Sequence, residues 1–513
     1  MSDQYLPRET RTMITIAVMA SAIMNQVDTT IANVALPHMQ GTTSASREQI
    51  SWVLTSYIIA MAITTPLTGW LAERFGRRRL LLISVVGFTF VSGLCGIAHT
   101  LEELIAFRFL QGMFGASLIP ISQVVLMDLN PPEERGRSMA IFGLGFILGP
   151  LIGPLLGGWL TENFSWHWVF LINLPVGTAA FLGISTFLPE LKDPDPRPFD
   201  LFGFGLLAMA IGGFQLMLDR GQSQDWFQST EICIEAGIAA LGLFLFMVHA
   251  ATTEHPFVRL KIFSDRNFAV SAALGFVVGI LMFGTISLLP PLLASLYGQP
   301  IMKVGVIMAP RGIGTFFATF IVGRLITKVD VRALAFFGLI GCGLSTLSLV
   351  GLNLESGMGI VMAAGFINGF AMSFIFVPLS TTMFATLDRR FFNEASAVST
   401  LIRYVGSAAG ISAVQFMTTR NEAVVQSRLT ESLRPDSPVF DWARPDIDLG
   451  TLAGAGRMVG ETVRQAMMVA YVDTFWMLFV LSAVAAPVAF IIRMPKGGRG
   501  ATENGRPQPA AAE

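Results

Sequence analysis

The sequence predicts an all-α membrane protein with fourteen transmembrane helices, and three observations lead to this prediction. The 513 residues are 53% hydrophobic and 13% charged, whereas a soluble domain carries about 25% charged residues. Fourteen apolar runs are long enough to cross a hydrocarbon layer of about 30 Å. Lys and Arg are concentrated in the loops of one side. The net charge of −1 gives no field that would attract nucleic acid, so we expect no such partner.

The fourteen apolar runs account for most of the chain. The first is too long for the core of a signal peptide and follows only the short segment Met1–Arg11, so we expect it to remain as an anchor in the lipid bilayer. The predicted spans are Met13–Ala35, Ile50–Leu71, Leu80–Ala98, Leu101–Met127, Met139–Leu160, Trp168–Leu188, Leu201–Leu218, Ile232–Ala250, Phe268–Leu293, Val304–Ile326, Ala333–Gly351, Gly357–Phe384, Ala395–Met417 and Val472–Ile492.

The basic residues predict the orientation of the chain. If the N-terminus is cytoplasmic, 22 Lys and Arg residues fall on the inner side, and only 3 fall in the short outer loops. The segment Thr418–Tyr471 holds six more, but long translocated loops follow the positive-inside rule weakly. This asymmetry predicts that both termini are cytoplasmic, which agrees with an even number of spans.

Two similar inner loops indicate an internal repeat. The stretch GWLAERFGRRRLL from Gly69 aligns with GRLITKVDVRALA from Gly323 at a shift of 254 residues, with five matches in twelve positions. This register superposes the first six spans on the last six. Parallel halves with a site between them near the membrane midplane are typical of major-facilitator-type transporters.

The repeat predicts the organisation of the chain. Residues 1–190 form a first six-helix bundle, and residues 191–262 form the inserted helices 7 and 8. Residues 263–493 form a second six-helix bundle with an outer loop at about 418–471, and residues 494–513 form a flexible cytoplasmic tail.

Three charged residues are predicted to lie at one depth inside the bilayer. Asp28, within NQVDTTIANVALP, lies about 10 Å below the outer boundary at 1.5 Å per residue, and Arg108 and Arg311 lie at a similar depth. A lone charge near the bilayer centre costs about 2.5–3.5 kcal/mol on insertion scales. We therefore expect the acid and the two bases to offset one another's desolvation.

The first span also carries a stripe of polar or small residues at helical spacing, which predicts a face turned towards a cavity. The stripe consists of Ser21, Asn25, Asp28 or Thr29, and Ala32. Intramembrane acids usually mark ion pathways, and burial opposes the charge that a nearby cation favours on a carboxylate. We interpret Asp28 as a proton carrier; the alternative is a fixed structural ion pair.

The sequence contains neither a G-x-x-x-x-G-K-[ST] loop nor a cluster of metal ligands, and its five histidines are scattered. We therefore expect no cofactor and no metal site, and we expect the proton motive force to supply the energy. A membrane enzyme would need clustered His, Asp or Cys near one boundary, and a sensor would need longer tails. Both alternatives are disfavoured.

The fifth span, GFILGPLIGPLLGGW, contains four glycines at four-residue intervals, from Gly145 through Gly149 and Gly153 to Gly157. Such spacing lets membrane helices approach closely. Pro150, behind the second glycine, removes a backbone hydrogen bond and bends the helix. The pattern fits a helix that rocks against its neighbour, although plain packing produces it too.

These motifs resemble those of the major facilitator superfamily, and within it the fourteen-span drug:proton antiporters of the EmrB/QacA type, over nearly the whole chain. VDTTIANVALP matches the first-span motif, and the resemblance assigns proton coupling to Asp28. LIAFRFLQG matches the fourth-span motif and places its arginine at Arg108. The glycines and Pro150 of the fifth span match the antiporter motif and are assigned to gating.

The stretch GWLAERFGRRR resembles the inner-loop motif of the superfamily, with Glu73 where aspartate is usual. The resemblance implies a cytoplasmic latch that holds one gate. Its members are Gly69, Glu73, Arg74, Gly76 and Arg77. Since topology alone also explains a run of arginines, Glu73 and Arg74 are the stronger candidates.

Two other stretches follow the family's patterns with departures. WHWVFLINLPVG has His167 in place of the common arginine. EASAVSTLIRYVGSAAG has Glu394 for glycine and Thr400 for asparagine, which leaves the role of that segment open.

The stretch LDRGQSQDWF, at Leu218–Phe227, and NEAVVQSRLTESLRPDSP after the thirteenth span are similar to the proteobacterial EmrB-type pumps. Those pumps work with a periplasmic adaptor and an outer-membrane channel, so the resemblance implies these partners and a place in the bacterial inner membrane.

The resemblance implies proton-driven efflux of hydrophobic or amphiphilic toxic compounds. The 41 Phe and 25 Met suit lipophilic solutes, because soft side chains adapt to varied ligands. Asn25, Gln26, Gln123 and Arg311 are the candidate cavity residues. A dedicated exporter of one metabolite, lipid or siderophore is the alternative, and it would lack competition among unrelated solutes.

Overall fold

The computed structural model describes residues 6–190, 198–432 and 451–493 of the chain. Within these residues the secondary structure is helical and contains no strand. The helices are α1 (Arg8–Thr43), α2 (Arg47–Thr64), α3 (Leu67–Phe75), α4 (Arg77–Cys95), α5 (Leu101–Gly115), α6 (Leu118–Leu129), α7 (Pro132–Asn163), α8 (Trp168–Leu171), α9 (Asn173–Phe187), α10 (Leu201–Arg220), α11 (Thr230–Thr252), α12 (Arg266–Pro291), α13 (Ile301–Leu325), α14 (Val331–Val350), α15 (Met358–Thr382), α16 (Phe392–Ser432) and α17 (Leu452–Ala485).

The number of apolar helices confirms the predicted class. Twelve helical segments of the described residues are long and apolar enough to cross a membrane, with α5–α6 and α8–α9 each counted as one segment. Two bent pairs add to them: α2 and α3 meet at 58°, and α7 bends by 41° between Gly149 and Ile152. If each bent pair is one span, the total is fourteen, as the sequence predicts. The chain is a multi-pass membrane protein.

Much of the predicted outer loop at residues 418–471 is helical. Helix α16 continues to Ser432 and α17 begins at Leu452. The two helices are in polar contact where the extension of α16 begins, because the hydroxyl of Thr418 lies 3.2 Å from that of Thr474. Hydropathy misses such helices because they continue past the apolar run. The rest of that loop, at residues 433–450, lies outside the described residues, as do the predicted start of the insertion at 191–197 and the tail at 494–513.

Two equivalent contacts support the internal repeat. A Cβ atom at Gly69 of α3 would lie 3.1 Å from the Cα of Glu394, at the start of α16. A Cβ atom at Gly323 of α13 would lie 3.5 Å from the Cβ of Ala140, near the start of α7. Gly323 follows Gly69 by 254 residues, and Glu394 follows Ala140 by the same number. The shift of 254 residues that aligns the inner loops therefore also maps the two members of one contact onto members of the other, so the two contacts are equivalent under the repeat. We call this end of the molecule, which the sequence predicts to be cytoplasmic, the inner end.

The glycines of α7 face α1. A Cβ atom at Gly153 would lie 3.0 Å from the carbonyl oxygen of Val27 and 3.1 Å from the amide nitrogen of Ile31. One at Gly157 would lie 2.7 Å from the carbonyl oxygen of Ile31. The absence of side chains thus brings the two backbones together along the part of α1 that carries Asp28.

The inserted helices α10 and α11 are joined at the inner end through Asp200. Its carboxylate accepts hydrogen bonds from the backbone amides of Gly203 at 2.8 Å and Phe257 at 2.9 Å, and it lies 3.0 Å from His249 Nε2. Burial raises the pKa of Asp200, but these hydrogen bonds outweigh burial and hold the pKa below its ordinary value. The charged carboxylate therefore fastens the first turn of α10 to α11 and to the segment that follows it.

The contact between α7 and α1 predicts a position-specific effect of added volume. Gly153→Val is expected to destabilise the protein by about 1–3 kcal/mol, because the new side chain meets the backbone of α1. Gly237→Val is the matched control, since nothing lies within 4 Å of a Cβ atom at Gly237 of α11. Thermal unfolding of both purified variants checks this, and equal melting temperatures would contradict it.

Candidate functional site

A buried ion pair joins α1 to α5. Nη1 of Arg108 lies 2.6 Å from Oδ2 of Asp28, and neither side chain has any exposed surface. Arg108 and Gln111 project from the same face of α5, because they are three residues apart, and Nη1 of Arg108 also donates to Oε1 of Gln111 at 2.7 Å. The sequence predicted that Asp28 and Arg108 lie at one depth, and the structure places the two side chains in direct contact.

The second carboxylate oxygen of Asp28 is held by two amides. Gln111 Nε2 donates to Oδ1 at 3.0 Å, and Asn173 Nδ2 of α9 donates to the same atom at 2.8 Å. With Arg108 these groups surround a charged carboxylate with donors. Removing one partner of such a buried pair costs about 3–5 kcal/mol, because the other charge is left uncompensated. Three helices of the first half thus depend on the charge of one side chain.

Arg108 has further contacts on the side away from Asp28. Its Nε donates to the carbonyl oxygen of Val53 at 3.2 Å, and its guanidinium carbon lies 4.0 Å from the centre of the Tyr57 ring. Nη2 has no hydrogen-bond partner within the described part of the chain. The guanidinium therefore lies between the carboxylate of Asp28 and an aromatic wall.

That wall belongs to a cavity of about 480 Å³ between the two halves. It is lined by α1, α2, α5 and α7 of the first half, by α10, and by α12 and α16 of the second half. Polar lining residues include Thr29, Asn33, Tyr57, Arg108, Gln215, Asp219, Tyr404 and Gln415. A second cavity of about 300 Å³ shares Asn33 and Pro154 with it. The larger cavity has the size of a binding site for a drug-sized molecule.

Three of the predicted cavity residues pack inside the protein instead. Asn25 donates to the Tyr57 hydroxyl at 3.0 Å, Gln26 donates to the carbonyl oxygen of Phe146 at 3.4 Å, and Gln123 accepts from Ser396 at 3.0 Å. All three are buried, and none lines the large cavity.

Most of the predicted stripe is corrected in the same way, because Ser21, Asn25, Asp28 and Ala32 are fully buried, but its alternative member Thr29 does line the cavity. The adjacent face of α1, with Thr29 and Asn33, lines the cavity instead. Thr29 and Asn33 are polar and four residues apart, so helical spacing offered this signal as well.

Arg311 is not part of the ion pair, which corrects the expectation of one acid shared by two bases. It is buried in the second half, where Nη2 lies 3.5 Å from the carbonyl oxygen of Met282. Met282 follows Asp28 by 254 residues, so the repeat has a neutral side chain where the first half has its acid. Arg311 lines a separate cavity of about 10 Å³ rather than the large one.

At the inner end, one arginine joins both halves. Arg259, in the segment between α11 and α12, lies 2.8 Å from the carboxylate of Glu394 on α16 and 3.5 Å from that of Glu73 on α3. Its guanidinium also covers the Phe391 ring at 4.3 Å. Glu73, which the resemblance assigns to a gate, therefore lies where the two halves meet. Arg259 and Glu394 were missed as its partners, although Glu394 was marked as a departure from the family's pattern.

The other gate candidates divide into two groups. Arg77 is buried, pairs with Asp128 and donates to Asn393 Oδ1 of α16 at 2.8 Å. Arg74, which the sequence favoured over Arg77, is exposed and takes part in no ion pair of the described residues. The reason is the turn at Gly76, whose φ of 82° requires glycine and directs Arg77 towards the other half.

Of the predicted gate glycines, Gly69 lies against α16, and Gly149 and Gly153 lie against α1. The side chain of Pro150 lies outside the described residues.

An aromatic layer closes the inner side of the large cavity. The rings of Phe146 on α7 and Phe376 on α15 stack at 5.0 Å, and Arg403 of α16 lies 5.3 Å from the Phe146 ring. These contacts join the two halves between the large cavity and the inner end. No group of three His, Cys, Asp or Glu residues that could hold a metal ion occurs among the described residues.

Comparison with known proteins identifies relatives over nearly the whole chain. The family model described as Major Facilitator Superfamily matches residues 18–411. Multidrug export protein EmrB of Escherichia coli strain K12 is 34% identical over 95% of this chain and 96% of its own length. Fatty acid resistance protein FarB of Neisseria gonorrhoeae is 33% identical, over 95% and 97% of the two chains.

Solved structures show the same fold at low identity. The proton:xylose symporter XylE has a TM-score of 0.61 and 13% identity, over 93% of this chain and 95% of the other. A bacterial homologue of the lysosomal transporter Spinster, in an inward-facing state, has a TM-score of 0.55 and 17% identity, over 95% and 97%.

The inner gate predicts a change in accessibility. Arg259→Gln should raise maleimide labelling of a cysteine at Ser396 several-fold in a cysteine-free background, because the two carboxylates then repel each other. Arg390→Gln is the matched control, since Arg390 also lies over Phe391, at 4.8 Å, but its side chain is exposed. Equal labelling of both variants would contradict the assignment of the gate to Arg259.

Proposed function

Since this chain belongs to the major facilitator superfamily, we propose that it is a proton-driven exporter of hydrophobic or amphiphilic compounds. The observation that carries the proposal is the position of the Asp28–Arg108 pair. Arg108 lines the central cavity, and Asp28 lies directly behind it at 2.6 Å. A proton site and a solute site are thus separated by one guanidinium group.

The names of the relatives support the class of solute. Proteins similar to this chain are named for multidrug export, fatty acid resistance and, in Acinetobacter baumannii, colistin resistance. Lipophilic or amphiphilic character is common to compounds of these kinds. The large cavity offers Phe283, Met61 and Tyr404 beside its polar groups, which suits ligands of that character.

The proposed coupling step is an exchange of partners at Asp28. In the structure, Arg108, Gln111 and Asn173 all donate hydrogen bonds to the carboxylate, which favours its charged form. When a proton binds to Asp28, the ion pair loses its negative member and Arg108 becomes an uncompensated charge beside the cavity. A shift of the Arg108 guanidinium away from Asp28 then lowers the free energy of its charge. This shift loosens the contact of α1 with α5 and α9.

The proposed cycle uses the gate at the inner end. Solute leaves the cavity towards the outer side while Glu73, Arg259 and Glu394 hold the two halves together at the inner end. Protonation of Asp28 favours the alternative, inward-open arrangement, in which the proton is released and a new solute binds. Each elementary charge moved is worth about 2.3 kcal/mol per 100 mV. A proton motive force of about 150 mV therefore supports a solute ratio of about a few hundred.

We further propose that the protein lies in the bacterial inner membrane with both termini in the cytoplasm, and that it works with a periplasmic adaptor and an outer-membrane channel. The distribution of basic residues supports the orientation. The extended helices α16 and α17 support the partnership, because they project a polar surface from the predicted outer side.

Replacement of Asp28 tests the proposal. Asp28→Asn should reduce uncoupler-sensitive solute uptake into inverted vesicles at least about tenfold, since the amide cannot exchange a proton. Solute exchange without a gradient should persist, because it needs no proton release. Asp225→Asn is the matched control: Asp225 is exposed after α10, and asparagine tolerates its φ of 54°.

Undiminished proton-driven uptake by Asp28→Asn would contradict the assignment of the proton to this residue. A panel of unrelated compounds should compete for uptake by the unmodified protein. Competition confined to close analogues would favour the dedicated exporter instead.

A further inference from the structure

The inserted helix α10 forms part of the wall of the central cavity. Gln215, Leu218 and Asp219 in its last two turns line that cavity together with residues of both halves. The helix contacts α2 on one side and α16 on the other. The insertion therefore contributes directly to the site between the halves.

The end of α10 is fixed to both halves by specific contacts. The hydroxyl of Thr55 on α2 donates to Oδ2 of Asp219, and the hydroxyl of Ser412 on α16 donates to the carbonyl oxygen of Leu218. Trp226, in the turn after α10, packs edge-on against Phe416 of α16 at 5.5 Å. These contacts hold the carboxylate of Asp219 at the cavity surface, where its side chain is exposed.

Asp219 forms no salt bridge within the described residues, although the adjacent Arg220 attracts it electrostatically. The neighbouring Arg220 is engaged elsewhere: its guanidinium pairs with Glu231 and lies 3.4 Å from Glu235, both on α11. Arg108, the cation of the cavity wall, is neutralised by Asp28. The charges around the cavity therefore sum to the single negative charge of Asp219.

The cavity also offers aromatic faces to a cation. Phe283 and Tyr404 line it together with Asp219. Aromatic rings attract organic cations through their negative faces, and a partly desolvated carboxylate strengthens that attraction. An apolar body fits the remaining walls, and the cavity volume of about 480 Å³ accommodates a drug-sized molecule.

We infer that Asp219 binds the positively charged group of lipophilic organic cations, so that the inserted helix extends the solute range of the cavity to this class. The inference rests on the proposed function, because it takes the central cavity as the solute site. Asp219 thus determines specificity by charge, while the walls of the two halves bind the apolar body.

The inference gives a physical reason for exchange of a cation against a proton. When Asp28 is protonated, the positive charge of Arg108 on the cavity wall is no longer neutralised, and it repels a bound cation. When Asp28 is charged, this repulsion disappears. A cation in the cavity and a proton on Asp28 therefore disfavour each other.

Binding to the purified full-length protein tests the inference without requiring transport. The probes are tetraphenylphosphonium, a permanent cation, and triphenylphosphine oxide, a neutral compound of related shape. Asp219→Asn should weaken binding of the cation at least tenfold and change binding of the neutral compound less than twofold. Asp219→Glu should retain most of the affinity for the cation, and Asp225→Asn should leave both affinities unchanged.

Three outcomes overturn the inference. The first is equal cation affinity in Asp219→Asn and the unmodified protein, and the second is an equal loss of affinity for both ligands, which would assign Asp219 to the shape of the cavity alone. The third is failure of the unmodified protein to bind the cation. The proposed function fails separately, if charge-dependent binding occurs but inverted vesicles accumulate neither compound.

Discussion

The ion pair between Asp28 and Arg108 is the interaction on which the rest of the structure depends. It lies where neither charge reaches solvent, and the amides of Gln111 and Asn173 complete its hydrogen bonds. Without it, Asp28 on α1 or Arg108 on α5 would be left as an uncompensated buried charge. Because one proton removes the negative charge, the packing of three helices depends on the protonation of one side chain.

The internal repeat does not extend to this ion pair, because only the first half contains it. The shift of 254 residues exchanges the contacts of Gly69 and Gly323 at the inner end, but it places Met282 where the first half has Asp28. The two halves therefore make equivalent contacts at the inner end, but only the first half has an acid at this position. The inserted helix α10 adds a second asymmetry, because it brings Asp219 to the cavity from outside the repeat.

The sequence predicted the class, the spans and the contact of Asp28 with Arg108, since hydropathy and depth follow directly from residue order. It did not decide whether Asp28 or Thr29 of α1 meets the cavity, because helical spacing defines a stripe but not the rotation of the helix in its bundle. Arg259 and Glu394 are 135 residues apart, and only the docking of the two halves brings them together. The extensions of α16 and α17 were missed because they are polar.

The most direct test of the central claim is the number of protons that purified protein releases when a solute binds, measured with a pH indicator in weak buffer. If solute binding and protonation of Asp28 exclude each other, the protein releases up to about one proton per solute, and Asp28→Asn releases none. Equal release by the variant and the unmodified protein would contradict the claim that Asp28 carries the coupled proton.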